Sequence, residues 1–382
     1  MNIGSTIKKL RREKDMTQED LAEALGVSVS AVSQWELEKT APDLSLIPPL
    51  CNLLGVSADT LLGIDLEAKE KRIDEITAKA HSYESRGYTD EAYNILREGL
   101  REFPDSFKIM GALMHTLFNT RRHDMFLSEE DRKNCTDEAV RLAEKILEKC
   151  TDDQLRHGAI QKLCLLYPNL GKTERAVEIA NKMPPMVVSN GFLLTHIYKK
   201  EKGYQHDKML LDDLIQFLSN KIVSYGRQRK NGELYYNDED RAALREKRIA
   251  FLNLMYEDGN MGFYHCHLKD THAWQSIYFA RKKDAENTLY HLSKAAEHAI
   301  KFVKYASDDK YVHTSLLFRE YDTSTVCFST GSKENDALEI LTHMDDAEYD
   351  FIRDTEGFAK IRDDLKKHAK NWDPASFEQT DK

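Results

Sequence analysis

The sequence predicts an all-α protein, a five-helix module followed by an α-solenoid of helix pairs, and three observations carry that expectation. Gly and Pro supply only 17 and 8 of the 382 residues, about half the usual globular share, while the helix-favouring Leu, Ala, Glu and Lys abound. Residues 1–64 break into five short stretches with apolar residues at helical spacing, each fenced by a cap or a turn residue. Beyond residue 72 a weak periodicity of paired helices sets in. The formal charge is −10, from 55 Lys and Arg against 65 Asp and Glu, which fits a solvated surface. No apolar run approaches the roughly 18 residues that a membrane helix needs, and the start, Met1 to Lys9, has no apolar signal region, so neither secretion nor membrane insertion is expected. The six cysteines, Cys51, Cys135, Cys150, Cys164, Cys266 and Cys327, are scattered singly with no C-x-x-C, as expected of reduced thiols in a cytoplasmic protein.

In the module, Ile3, Ile7 and Leu10 give the apolar stripe of a first helix that stops near Lys14. Thr17 to Asp20 reads as a capping box, the Thr17 hydroxyl accepting from the Asp20 amide while the carboxylate reaches back. The second helix runs to Leu25, Gly26 makes the turn, and Ser28 caps a third helix whose buried face is Val32 and Trp35. Asp43-Leu44-Ser45 opens a fourth helix with Pro48 and Pro49 in its first turn, and Ser57 caps a fifth before Leu61 and Leu62.

Thr17-Gln18-Glu19-Asp20-Leu21-Ala22, Gly26-Val27-Ser28, Val32-Ser33-Gln34-Trp35-Glu36, Lys39-Thr40-Ala41-Pro42 and Leu53-Leu54-Gly55-Val56-Ser57 together resemble the Cro/C1 (XRE-type) helix-turn-helix of phage repressors. The resemblance implies a lambda-repressor-like DNA-binding domain over 1–64, in which the third helix enters the major groove. By position it assigns Val29, Ser30, Ser33 and Gln34 to base edges, Gln34 being suited to adenine and Val29 to a thymine methyl. It assigns Thr17, Gln18, Lys39 and Thr40 to phosphate, with the amide end of the second helix pointing at the backbone. Arg11 and Glu36 match a structural ion pair between the first and third helices.

Within 1–64, six basic residues face nine acidic ones. Phosphate neutralisation supplies most non-specific affinity, so one such module is expected to bind double-stranded operator DNA weakly, and a homodimer reading two half-sites would recover affinity. The alternative reading is a protein-interaction adaptor whose module no longer binds DNA.

Residues 65–72, charged and free of Gly and Pro, read as a helical linker. Residues 73–371 read as the repeat domain and 372–382 as a C-terminal tail. Ala80, Tyr83, Gly87, Ala92, Leu96, Gly99 and Pro104 fall at tetratricopeptide-like intervals over 73–106, and Cys164, Tyr167, Gly171, Ala176 and Ala180 repeat them. The helix around Met110, Leu113 and Leu117 pairs with one around Ala139, Leu142 and Ile146. Further on, Phe192 to Tyr198 pairs with Leu210 to Leu218, Leu244 to Tyr256 is amphipathic, Trp274, Ile277 and Tyr278 face Leu289, Leu292, Ala295, Ala296 and Ala299, and Phe351 to Leu365 closes the array with a charged outer face. Residues 225–240 read as a loop. The segment 323–329 has strand character and no assigned role.

No Gly-rich phosphate loop, nucleophile elbow or H-E-x-x-H helix occurs, so no enzyme and no cofactor are expected. His265-Cys266-His267 with His272 lacks the spacing of a zinc site and reads as an aromatic-rich helix start. A solenoid presents a concave face built from the inner side of each first helix: His81 and Ser85, then His115 and Asn119, then Gln161, Leu165 and Asn169. Asn119 and Asn169 hold equivalent repeat positions, and an Asn amide pairs with peptide main chain whatever its sequence. A Cro/C1-type module followed by such repeats resembles the peptide-responsive RRNPP regulators, which implies a cytoplasmic, dimeric transcription factor with a peptide or protein ligand in the groove.

Overall fold

The computed structural model describes residues 3–62, 66–123, 128–307, 311–323 and 330–373. The chain divides into two compact units, Met1–Ala78 and Lys79–Lys382.

The first unit begins with α1 (Ile3–Glu13), α2 (Gln18–Leu25), α3 (Val29–Glu36), α4 (Ile47–Leu54) and α5 (Ala58–Leu61). Its core is Ile7, Leu21, Ala22, Val32, Trp35, Leu50, Leu54 and Leu61, the apolar stripes of five helices too short to persist alone. Asp43 caps a separate 3-10 turn, Leu44–Leu46, before α4 starts, its carboxylate accepting from the Ser45 amide at 2.9 Å. That turn places the two prolines at the head of α4, where the missing amide hydrogen costs nothing.

The helix α6 (Leu66–Glu84) runs through the boundary between the units. The 65–72 bridge is therefore no separate element; with no breaker in it, it forms the opening turns of α6 as described from Leu66, and the division falls later, after Ala78.

The second unit continues with α7 (Thr89–Glu102), α8 (Phe107–His123), α9 (Glu129–Lys149), α10 (Asp153–Leu166), α11 (Thr173–Ala180), α12 (Asn190–Ile197), α13 (Lys200–Ser224), α14 (Asp238–Met255), α15 (Tyr264–Arg281), α16 (Ala285–Ala306), α17 (Asp336–His343) and α18 (Glu356–Lys366). Consecutive helices pack on each other from α7 to α11 and from α12 to α18, the nearest-neighbour logic of a solenoid of helix pairs. Residues 225–240 are not a loop. Asn231 and Gly232, both at positive φ, turn a short hairpin that pairs β1 (Arg229–Lys230) with β2 (Glu233–Leu234), and Asn237 caps α14 with a full capping box.

Three further expectations change. Trp274 is not in the α15–α16 seam: it is 57% exposed, and the seam is built by Ala280, Leu292, Ala295, Ala296 and Ala299. The C-terminal tail does not begin at 372, because Trp372 is buried against Phe302 and Arg86. Its backbone bonds Lys333, and its carbonyl accepts from the Tyr88 hydroxyl at 2.8 Å, so the last segment returns to the α6–α7 turn. Of the strand-like segment 323–329, only Thr323 is described; 324–329, with Cys327, and the tail beyond 373 lie outside the described residues. The strand pairing nearest to it is a single bridge, Val312 with Asp322.

Candidate functional site

The turn between α2 and α3 is set locally. The Thr17 hydroxyl accepts from the Asp20 amide at 3.1 Å, and the Asp20 carboxylate accepts from the Thr17 amide at 2.7 Å. Gly26, at φ 68°, takes the left-handed conformation that ends α2, and the Ser28 hydroxyl accepts from the Ala31 amide at 3.1 Å to start α3. With Val32 and Trp35 fixed inward, the opposite side of α3 carries Val29 and Ser30, exposed, and Ser33 and Gln34, half-buried. Thr17, Lys39 and Thr40 are exposed at the flanks.

Behind this face Arg11 and Glu36 form a buried fork, Nε to Oε1 at 2.6 Å and Nη2 to Oε2 at 3.0 Å. A third member was not visible in the sequence: the Gln18 side-chain amide donates to Glu36 Oε2 at 2.9 Å. Burial works to raise the Glu36 pKa, but the bonds from Arg11 and Gln18 outweigh it and hold the carboxyl below its ordinary range. Two consequences follow for the phosphate set. Gln18 has one amide hydrogen already committed, and the amide of Thr17 is occupied by Asp20, so the amide end of α2 carries its own carboxylate.

In the second unit, His81, His115 and Asn119 converge on one carboxylate, Glu84, whose side chain is 4% exposed. Glu84 Oε2 lies 3.8 Å from His81 and Oε1 lies 3.6 Å from His115, and the Asn119 amide donates to Oε1. Burial would raise the Glu84 pKa, yet these partners hold it below the ordinary value. Sequence periodicity gave no sign of Glu84, because its role depends on α8 being packed against α6. Ser85 turns its hydroxyl to the Ser82 carbonyl at 3.1 Å. Gln161, Leu165 and Asn169 are exposed. Asn119 and Asn169 are not equivalent: Asn169 lies in the 3-10 turn Tyr167–Leu170 and donates back to the Leu165 carbonyl at 3.3 Å. The turn arises because Pro168 cannot continue α10.

The histidines His265 and His272 face α16, where Nδ1 of His265 lies 2.9 Å from Nδ1 of His298 and Nδ1 of His272 lies 2.9 Å from Nδ1 of His291. Among the described residues no group of three or more His, Cys, Asp or Glu is placed to hold a metal ion, and no helix is long and apolar enough to cross a membrane.

Residues 7–61 match the helix-turn-helix family. Over 60 residues the chain is 39% identical to YonR, an SPbeta prophage-derived uncharacterized HTH-type transcriptional regulator of Bacillus subtilis, covering 16% of this chain and 56% of YonR. It is 34% identical over 74 residues to the HTH-type transcriptional regulator ImmR of the same organism, 19% of this chain and 58% of ImmR. The chain thus spans little more than half the length of these two relatives. The shorter YazB, an uncharacterized HTH-type transcriptional regulator of Bacillus subtilis, is 38% identical over 58 residues, which are 15% of this chain and 84% of YazB. Among solved structures, Bacillus thuringiensis PlcR in complex with the peptide PapR7 and DNA aligns over 100% of this chain and 99% of its own at 12% identity, with a TM-score of only 0.27. The match over 7–61 and the coverage of YazB are sufficient on their own: through its first unit the chain belongs to the helix-turn-helix family.

Proposed function

We propose that the protein is a sequence-specific transcriptional regulator that binds double-stranded operator DNA through α3, acts as a cytoplasmic homodimer, and uses its helical second unit for dimerisation and sensing; we assign it no enzymatic activity. The observation that carries this reading is the division of α3 into a face locked in the core by Val32 and Trp35 and an outer face of Val29, Ser30, Ser33 and Gln34. Side chains of those types at the start of such a helix reach base edges. Self-association is supported by apolar side chains left in water along one stretch of the second unit, Met186, Val187, Val188 and Ile197, each more than half exposed. For the sensing role, an extended peptide is the proposed ligand. Glu84, buried with both oxygens engaged, holds His81, His115 and Asn119 in place, and the Asn119 amide keeps one N–H and its carbonyl oxygen for peptide main chain.

The test is a salt-titrated binding assay of the full chain on DNA from its own promoter. Gln34→Ala and Ser30→Ala should each weaken specific binding by about 1–3 kcal/mol with the fold intact. Lys39→Ala should weaken all sequences alike and flatten the salt dependence. Unchanged operator binding in both α3 variants would refute the reading. The excess of acidic residues in 1–64 favours one competitor, an adaptor that does not bind DNA, and the absence of any salt-sensitive DNA binding would support it.

A further inference from the structure

A cleft of about 990 Å³ opens between α13, the β1–β2 hairpin, α14 and α15, at the upper end of the size range of small-molecule sites. Six basic side chains line it against three acidic ones, an inversion of the balance in a chain of net charge −10. The three carboxylates are already engaged: Asp238 with Arg241, Glu239 with Lys282 at 3.0 Å, and Asp270 with Lys269 at 2.8 Å.

Arg245 and Arg248, one helical turn apart on α14, hydrogen-bond only to neutral groups among the described residues. Arg245 Nε donates to Gln275 Oε1 at 2.6 Å. Arg248, 6% exposed, donates from Nε to Ser219 Oγ at 3.0 Å and from Nη2 to Asn220 Oδ1 at 3.5 Å. Burial lowers both pKa values from the ordinary guanidinium value, while Asp238 and Glu246 act on Arg245 and Asp270 on Arg248 only from beyond ion-pair distance; both remain cations, and a buried cation without a bonded counter-ion is costly. The opposite wall is aromatic. Trp274 stands 57% exposed on α15, and Tyr278, one turn further, has the Lys282 ammonium 4.4 Å from its ring centre. Such an indole offers an open stacking face.

We propose that this cleft is a ligand site for a phosphorylated molecule carrying a planar ring, of the size of a mononucleotide, with the phosphate on Arg245 and Arg248 and the ring on Trp274. Two guanidinium forks with unspent donors match the several oxygens and double charge of a phosphate better than a single carboxylate, which one fork would saturate. The indole selects a flat ring over a sugar phosphate alone. Nothing in this inference rests on the DNA-binding reading.

The experiment is calorimetric titration of the full chain with AMP, GMP, CMP and UMP, with the four nucleosides, with inorganic phosphate, and with a short aromatic peptide bearing a free carboxylate. At least one mononucleotide should bind below about 1 mM, and its nucleoside and inorganic phosphate should each bind about ten-fold or more weakly. Trp274→Ala and Arg245→Gln, both at the open side of the cleft, should each cost about ten-fold. Arg248→Gln should do the same where circular dichroism shows it folded, and the other two variants decide the matter where it is not. The proposal is overturned if no mononucleotide binds below about 5 mM, if both open-side variants bind as the parent does, or if the peptide binds while the nucleotides do not.

Discussion

Acid should destabilise the second unit as pH falls below 6.5, before its carboxylates held low, Glu84 and Glu297, protonate. Across the α15–α16 seam, His265, His272, His291 and His298 form a stack of imidazoles, none more than 8% exposed, paired nitrogen to nitrogen and with His272 lying flat on His298. Burial pushes His265 down to about 4 and His272 and His298 to about 3, with neighbouring positive groups adding to the effect. Because the folded pKa is depressed, the unfolded chain takes up protons first, so stability is full above 6.5 and falls as pH drops through it, levelling only near 3 to 4. At pH 5 each of these three imidazoles costs about 2 kcal/mol, or about 6 kcal/mol together. Asp336 works in the opposite direction: burial raises it to about 6, which returns about 1.4 kcal/mol at pH 5. Asp212 and Asp213, also raised by burial, act with it. The carboxyls held low, Glu84 and Glu297, lose their contribution only below the ordinary carboxylate range. Against Asp336 alone the histidines win by about 4–5 kcal/mol, and Asp212 and Asp213 reduce that margin; it is a large share of a domain's stability. Pulse proteolysis across a urea gradient at pH 7.5 and pH 5, with fragments mapped to 264–306, should show the midpoint falling, and the His272→Gln, His298→Gln double variant should remove much of the difference. A midpoint that is equal or higher at pH 5 would refute the reasoning.

In the first unit, Arg11→Met should cost about 3–5 kcal/mol, because it strands the buried Glu36 carboxylate, and adding Glu36→Leu should restore much of that loss; additive losses in the double-mutant cycle, read by hydrogen exchange over residues 3–62, would refute the coupling. Gly4→Ala should destabilise the same unit by about 1–3 kcal/mol despite the roughly 1 kcal/mol that Ala gains in a helix, because its Cβ would clash with the Trp35 carbonyl oxygen; thermal unfolding reads the sign. Trp372→Ala should cost about 3–5 kcal/mol in the second unit, whereas a dispensable tail residue would leave its urea midpoint unchanged.

How far each feature was legible follows the range of its determinants. The all-α class and the turn between α2 and α3 are written in signals three or four residues long: Thr17 with Asp20, Gly26, and Ser28 with Ala31. Each needs only its own neighbours, so residue type and spacing suffice. The Asn231-Gly232 hairpin is also a local signal, concealed within a polar stretch whose composition reads as loop. Gln18 joining the Arg11–Glu36 pair spans 18 residues, and Glu84 reaching Asn119 spans 35. No periodicity registers such meetings, because a carboxylate on a helix looks the same whether packing surrounds it or water does. The same limit hides Arg245 and Arg248, which read as a solvated face of α14. Trp372 does not read as core from sequence because its partners, Arg86, Tyr88 and Phe302, lie between 70 and 286 residues away, and only closure of the chain brings them together.

The electrostatics of the first unit set a sharper condition on DNA binding than its fold does. Of the basic residues in 1–64, Arg11 is committed to Glu36, and of the four side chains proposed for phosphate only Lys39 carries a positive charge. The amide end of α2, which would otherwise attract phosphate, faces Asp20 bonded to the Thr17 amide and Glu19 beside it. Each phosphate neutralised by a cation contributes about −0.9 to the slope of log affinity against log salt. One module should therefore show a slope near about −1 and a homodimer near about −2, with the remaining affinity coming from base contacts and from tethering two heads on one operator. Titrating operator binding against potassium glutamate measures that slope directly. A value near −2 that collapses towards zero in Lys39→Ala supports the proposed set, whereas a slope of about −6 or steeper would require Lys8, Lys9, Arg12 or Lys14 on the backbone and would sink the assignment of phosphate contacts to Thr17, Gln18, Lys39 and Thr40.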